Sequence, residues 1–115
     1  MARLNYVELP VRDIAASRTF FETLFGWDLT VFAPTYAATI GHGTDLGLQG
    51  DAEEASAAPL PVIQVDDLEA AFAAAIAAGG EISRPIFDFP GGRRFHVREP
   101  SGCELAVWTA IADHG

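Results

Sequence analysis

Apolar and polar positions follow the same order of rhythms twice along the chain. From Leu4 to Val11 they alternate, with Tyr6, Glu8 and Pro10 on one side and Val7, Leu9 and Val11 on the other; a period of two predicts a strand. Asn5 interrupts the apolar side, so the strand is better counted from Tyr6. The period then lengthens. Ala16, Phe20, Phe21 and Leu24 share one face at helical spacing, Asp13 stands where an N-cap belongs and Gly26 where a helix stops, which predicts a helix over 14–25. Strands are predicted for Trp27 to Phe32, Tyr36 to Ile40 and Thr44 to Gln49, separated by turns at Ala33-Pro34-Thr35 and Gly41-His42-Gly43. Residues 50–59 lack any large apolar side chain and form a linker.

The order then repeats. Leu60 to Val65 is a strand, Asp67 a cap, Leu68 to Ala78 a helix and Gly79-Gly80 its stop. Ile82 to Asp88 reads as strand or loop, because Pro85 confines it to an edge or an irregular stretch. Arg93 to Arg98 and Glu104 to Ala110 are strands, after turns at Pro90-Gly91-Gly92 and Glu99 to Gly102. The likeness extends to residues. Val11-Arg12-Asp13-Ile14 is echoed by Val65-Asp66-Asp67-Leu68, and Asp13 and Asp67 are as far apart as Gly26 and Gly80. Gly43-Thr44-Asp45-Leu46-Gly47-Leu48 parallels Gly102-Cys103-Glu104-Leu105-Ala106-Val107 at a slightly wider separation. Two βαβββ units of this kind most simply build one pseudo-symmetric α+β domain over 1–115, with modules at about 4–49 and 60–110.

Composition narrows the function. The 115 residues, half of them hydrophobic, suffice for one real core. A net charge of −9 argues against nucleic acid and against an anionic membrane surface, and is compatible with a cationic small molecule. The longest apolar run, Ala70 to Ala78, is far too short to span a bilayer, and the N-terminus lacks the apolar run of a signal peptide. One cysteine, Cys103, excludes an internal disulfide and fits a reduced, cytoplasmic setting. It is expected on the helix-packed side, as a buried and inert thiol.

Glu8-Leu9-Pro10-Val11-Arg12-Asp13 and Phe20-Phe21-Glu22-Thr23-Leu24-Phe25-Gly26-Trp27, with Phe89-Pro90-Gly91-Gly92 and Arg98-Glu99-Pro100-Ser101-Gly102 later, resemble the motifs of the vicinal oxygen chelate superfamily of glyoxalase I, extradiol dioxygenases and bleomycin-resistance proteins. The likeness covers Tyr6 to Trp108. It implies two modules that pair into a curved mixed sheet around a cavity, and usually a homodimer. It also implies, in the family's enzymes, a divalent metal held by His, Glu or Gln from the first and last strand of each module. Carried over by the turn motifs, those places are Tyr6, Gly47, Leu60 and Ala106. Leucine, glycine and alanine offer no donor atoms, and a neutral tyrosine is a poor one. No metal or other cofactor is therefore expected, unless non-standard donors such as Glu8, Gln49, Gln64 and Glu104 supply the ligands.

Strand alternation places Glu8, Asp45, Gln49, Val62, Gln64, Glu104 and Trp108 beside those four places as the lining of the expected cavity. Carboxylates beside an aromatic ring suit a cation. Glu8 stands mid-strand, where an uncharged residue is expected, and is the candidate catalytic residue. His42 reads as a solvated turn residue, His114 belongs to the tail, and His96 could face either the cavity or solvent. Arg93 and Arg94 sit beside a glycine turn that could receive an anion, though a solvated turn explains them too. Two classes of function follow. One is a metal-free small-molecule-binding protein of the bleomycin-resistance type. The other is a glyoxalase-like or related lyase, isomerase or dioxygenase, with non-standard metal ligands or with Glu8 as base. A third reading is a regulatory or interaction module that kept only the fold.

Overall fold

A computed structural model describes residues 1–111. The elements run β1 (Arg3–Pro10), α1 (Ile14–Phe25), β2 (Thr30–Ala33), β3 (Tyr36–Ala38), β4 (Asp45–Gln49), β5 (Leu60–Gln64), α2 (Leu68–Ala77), β6 (Glu81–Phe89), β7 (Gly92–Arg98) and β8 (Glu104–Ala110). This is the expected α+β order, βαβββ twice. The chain forms two compact units, Asn5–Leu60 and the stretch from Pro61 onward together with Met1–Leu4. The N-terminal ammonium lies 2.8 Å from Asp66 Oδ2, within that second unit.

In the first module the strand order is β2-β3-β4-β1, with β1 and β4 parallel and the other neighbours antiparallel. Asp13 has an extended backbone, and its side chain accepts from the Ala16 N–H at 3.1 Å, which caps α1. Gly26 closes the helix in the left-handed region (φ 71°) and donates its N–H to the Glu22 carbonyl. The buried cluster is Leu29, Ala37 and Leu48, joined by Leu9, Val11, Ile14, Phe21, Trp27 and Leu46. Leu9, Leu46 and Leu48 alternate with Glu8, Asp45 and Gly47, so α1 covers one sheet face and leaves those three on the other.

The second module has the order β5-β8-β7-β6, with β5 and β8 parallel. Asp67 caps α2 through the Ala70 N–H at 3.0 Å. Leu68, Phe72 and Ala75 pack on Phe95, Val97 and Val107. Phe95 is 0 % exposed. His96, Ala106 and Trp108 therefore point to the face without the helix. β6 is the module's edge, as Pro85 requires. It is a strand throughout, but its register with β7 shifts twice between Ile82 and Phe87.

Two expectations need correction. The strand expected from Trp27 begins only at Thr30, because the Leu29 N–H donates to the Glu22 carboxylate of α1 at 3.1 Å and ties the segment to the helix. Cys103 is exposed, not buried. It stays in the turn, where its N–H donates to the Glu99 carboxylate at 3.0 Å, so strand alternation does not reach it. His114 lies outside the described residues. No helix among the described residues is long and apolar enough to cross a membrane.

Candidate functional site

Each module carries polar chemistry on its helix-free face. In the first, the register pairs Tyr6 with Asp45, Glu8 with Gly47 and Ala38 with Gly47, and sets Tyr36 against Gln49. Tyr6, Glu8, Tyr36 and Gly47 thus converge. The two phenol oxygens share a short hydrogen bond. Glu8 is 3 % exposed. Burial first, then the charges of Glu8 and Tyr6 and hydrogen bonds to both, push the Tyr36 phenol far above its ordinary value, so it keeps its proton. A carboxylate only accepts. The hydrogen-bonded chain therefore runs from Tyr6 to Tyr36 to Glu8.

Gly47 is essential to this arrangement. A Cβ there would collide with both phenol oxygens and lie 2.7 Å from Tyr6 Cζ. The ring of Tyr6 occupies the space that a side chain at Gly47 would take. Asp45 and Gln49 serve turns instead. Asp45 Oδ1 accepts from Thr39 Oγ1 at 2.7 Å and from the His42 N–H at 3.2 Å, and Gln49 Oε1 accepts from the Asp51 N–H at 3.0 Å.

In the second module Val62 pairs with Ala106 and Gln64 with Trp108 across β5 and β8. Leu60 and Val62 are buried apolar residues. Across β7 and β8, His96 pairs with Ala106 and Arg94 with Trp108. Glu104 Oε2 accepts from Ser83 Oγ at 2.7 Å and lies 3.4 Å from His96 Nδ1. Burial, then the charge of Arg94, lower the His96 pKa against the opposing pull of Glu104, so the imidazole is neutral at pH 7. Phe87 lies 5.7 Å from the imidazole, with the Arg84 guanidinium 3.6 Å above its ring. Phe89 lies 6.1 Å from Trp108.

Of the residues singled out in the sequence, the structure joins Tyr6 with Glu8 over Gly47, and Val62 with Ala106 and Gln64 with Trp108 in register. Tyr36, Ser83 and Phe87 were missed. Period-two alternation alone places Tyr36 and Phe87 on polar faces, but their partners come from strands distant in sequence. An open apolar groove of about 510 Å³, between the end of β1 and α1 and lined by Leu9, Val11, Phe20, Phe21 and Pro59 among others, lies on the other side of the sheet from Tyr6 and Glu8. It brings no ionisable group to a ligand.

A family model described as the Glyoxalase/Bleomycin resistance protein/Dioxygenase superfamily matches residues 3–107. The chain belongs to this superfamily. CFP32 of Mycobacterium bovis, whose name includes the word glyoxylase, is 30 % identical over 92 % of this chain. The chain spans 45 % of that relative's length, so less than half of the curated relatives it matches. A superfamily member from Vibrio splendidus superposes with a TM-score of 0.72 at 19 % identity, over 96 % of this chain and 100 % of that one. The Mn(II)-bound glyoxalase of Novosphingobium aromaticivorans gives 0.71 at 19 % identity, over 97 % of this chain and 41 % of that one. These likenesses show the glyoxalase/bleomycin-resistance/dioxygenase fold.

The superfamily's metal does not fit the residues at the places the motifs mark. The first module offers two hydrogen-bonded phenols packed over a glycine, the Tyr36 phenol keeping its proton. Leu60 and Ala106 have no donor atom. Among the described residues no three His, Cys, Asp or Glu side chains gather into a possible metal site.

Proposed function

We propose that this superfamily member binds a small organic molecule without a resident metal, as bleomycin-resistance-type proteins do. The observation that carries the reading is the ring of Tyr6 over Gly47, which fills the space a ligating side chain would need. Glu8, buried and hydrogen-bonded with Tyr36, suits anchoring a ligand better than abstracting a proton. The net charge of −9 and Glu8 favour a cationic group on the first module. Exposed Phe20, Leu24 and Phe25 on α1, with Val31 and Phe32 on β2, support self-association as a homodimer. The lone, exposed thiol of Cys103 is in keeping with a reducing, cytoplasmic setting.

The test is metal content of untreated protein, followed by thermal unfolding with Ni, Zn, Mn and Fe(II). A ligand of the native state raises its stability by mass action. The expected outcome is no bound metal and no rise in Tm. A saturable, stoichiometric rise that Glu8→Ala abolishes would overturn the reading in favour of an enzyme with non-standard ligands.

A further inference from the structure

The second module holds a feature that the phenol–glutamate cluster of the first does not explain. His96 is 3 % exposed, and its Nε2 is buried with no hydrogen-bond partner. A buried polar atom left without a partner carries its full desolvation cost, so such an atom calls for an explanation. The other ring nitrogen explains which kind of partner is missing. Nδ1 faces the carboxylate of Glu104, which is itself held by Ser83. A carboxylate can only accept, so the proton of the neutral ring sits on Nδ1 and Nε2 presents a lone pair.

The surroundings narrow the partner further. Phe87 lies against the imidazole, and Phe89 and Trp108 lie farther along the same face. A flat ring could stack there. Arg84 and Arg94 stand over Phe87 and disfavour a cation at this spot. The strand beside His96 is also the module's least regular. Its register with β7 shifts on both sides of Arg84, next to Pro85, at a sheet edge. These breaks interrupt the regular pairing there, and an irregular sheet edge is the natural place for a molecule to enter.

We propose that His96 is a ligand-contacting residue of the second module, whose Nε2 accepts a hydrogen bond from a neutral aromatic molecule bearing a hydroxyl or N–H. Ser83 and Glu104 act through it as positioning residues. The inference rests on the binding reading only in placing a small molecule on the protein, and stands whether or not a metal is bound.

Phenol and anisole are the probes, since they share a ring and only phenol donates. Long-range proton–nitrogen spectra of the histidines are recorded on chelator-treated protein, with His96 assigned by its loss in His96→Phe. The wild-type spectrum should show the Nδ1–H tautomer. Phenol should move the Nε2 resonance saturably and bind at least tenfold more tightly than anisole, as expected when a buried acceptor meets a ligand with no donor. Glu104→Gln can donate to Nδ1, which shifts the proton to Nε2 and should bring phenol and anisole to parity. This variant keeps the test decisive if His96→Phe fails to fold. An Nε2–H tautomer in the wild type, equal binding of the two probes, or no response of Nε2 to phenol (a buried water being its only partner) would each overturn the proposal. Metal uptake is read separately, so the two ideas can fail independently.

Discussion

At the same place in the two repeats, four residues after the turn glycine, stand Gly47 and Ala106. Around Gly47 the first module packs two phenols and a buried glutamate; beside Ala106 the second sets His96, held by Glu104. The helix sides match far better. Both helices start at an aspartate cap three residues before the N–H it accepts from, and both pack a branched aliphatic and an aromatic residue onto the sheet, Ile14 and Phe21 in one and Leu68 and Phe72 in the other. The halves of this duplicated fold therefore diverge where a side chain meets neither core nor solvent. Packing against a helix restricts residue choice on one face, and the opposite face is free to change its chemistry.

The largest effects should come from the shared, helix-packed side. Phe95→Ala removes a wholly buried ring and should cost about 3–5 kcal/mol in urea unfolding. Leu48→Ala, in the first module's buried cluster, should cost about 2–5 kcal/mol. A cost below about 1 kcal/mol at either site would show that the two cores are not equivalent supports.

The next effect separates the helix-free faces. Gly47→Ala forces a methyl into the Tyr6 ring and should destabilise by about 1–3 kcal/mol. In a Tyr6→Ala background only the Tyr36 oxygen still meets that methyl, so the same change should cost clearly less, which gives a coupling of about 1 kcal/mol in a double-mutant cycle. Additive costs would mean that the phenol does not fill the space above Gly47.

The smallest effect is electrostatic and belongs to the second module alone. Charging His96 would place an imidazolium, mostly out of water, among Arg84 of β6, Arg94 of β7 and Glu104 of β8. Its folded pKa lies below the ordinary 6.5, so the unfolded chain binds the extra proton first as pH falls. Stability should thus be full above pH 6.5 and decline as pH drops through the folded value. Urea unfolding across that window should show a shallower decline in His96→Phe; identical slopes would remove His96 as the cause.

Much of this was legible in the chain. Asp13, Asp67 and Gly26 marked helix ends because capping is local chemistry. Pro85 announced an edge because a missing N–H is a local fact too. The site was legible only in part. Alternation put Tyr6, Glu8 and Ala106 on the right faces, yet it could not tell that Asp45 would serve its own turn, or that Tyr36 would reach Tyr6. Such pairings depend on strand register, which no short window contains. Cys103 was misplaced because a turn residue was counted as part of the strand that follows it.

The ring above Gly47 also gives this protein's mutational history a direction. A lineage that sought a liganding side chain at that glycine would meet a collision first, and gain nothing until Tyr6 had been replaced by something smaller and the Tyr36 hydroxyl had swung aside. The two changes are useful only in one order, and the first of them dismantles the phenol pair before any donor has arrived. That ratchet makes the present chemistry harder to leave than a simple count of substitutions suggests.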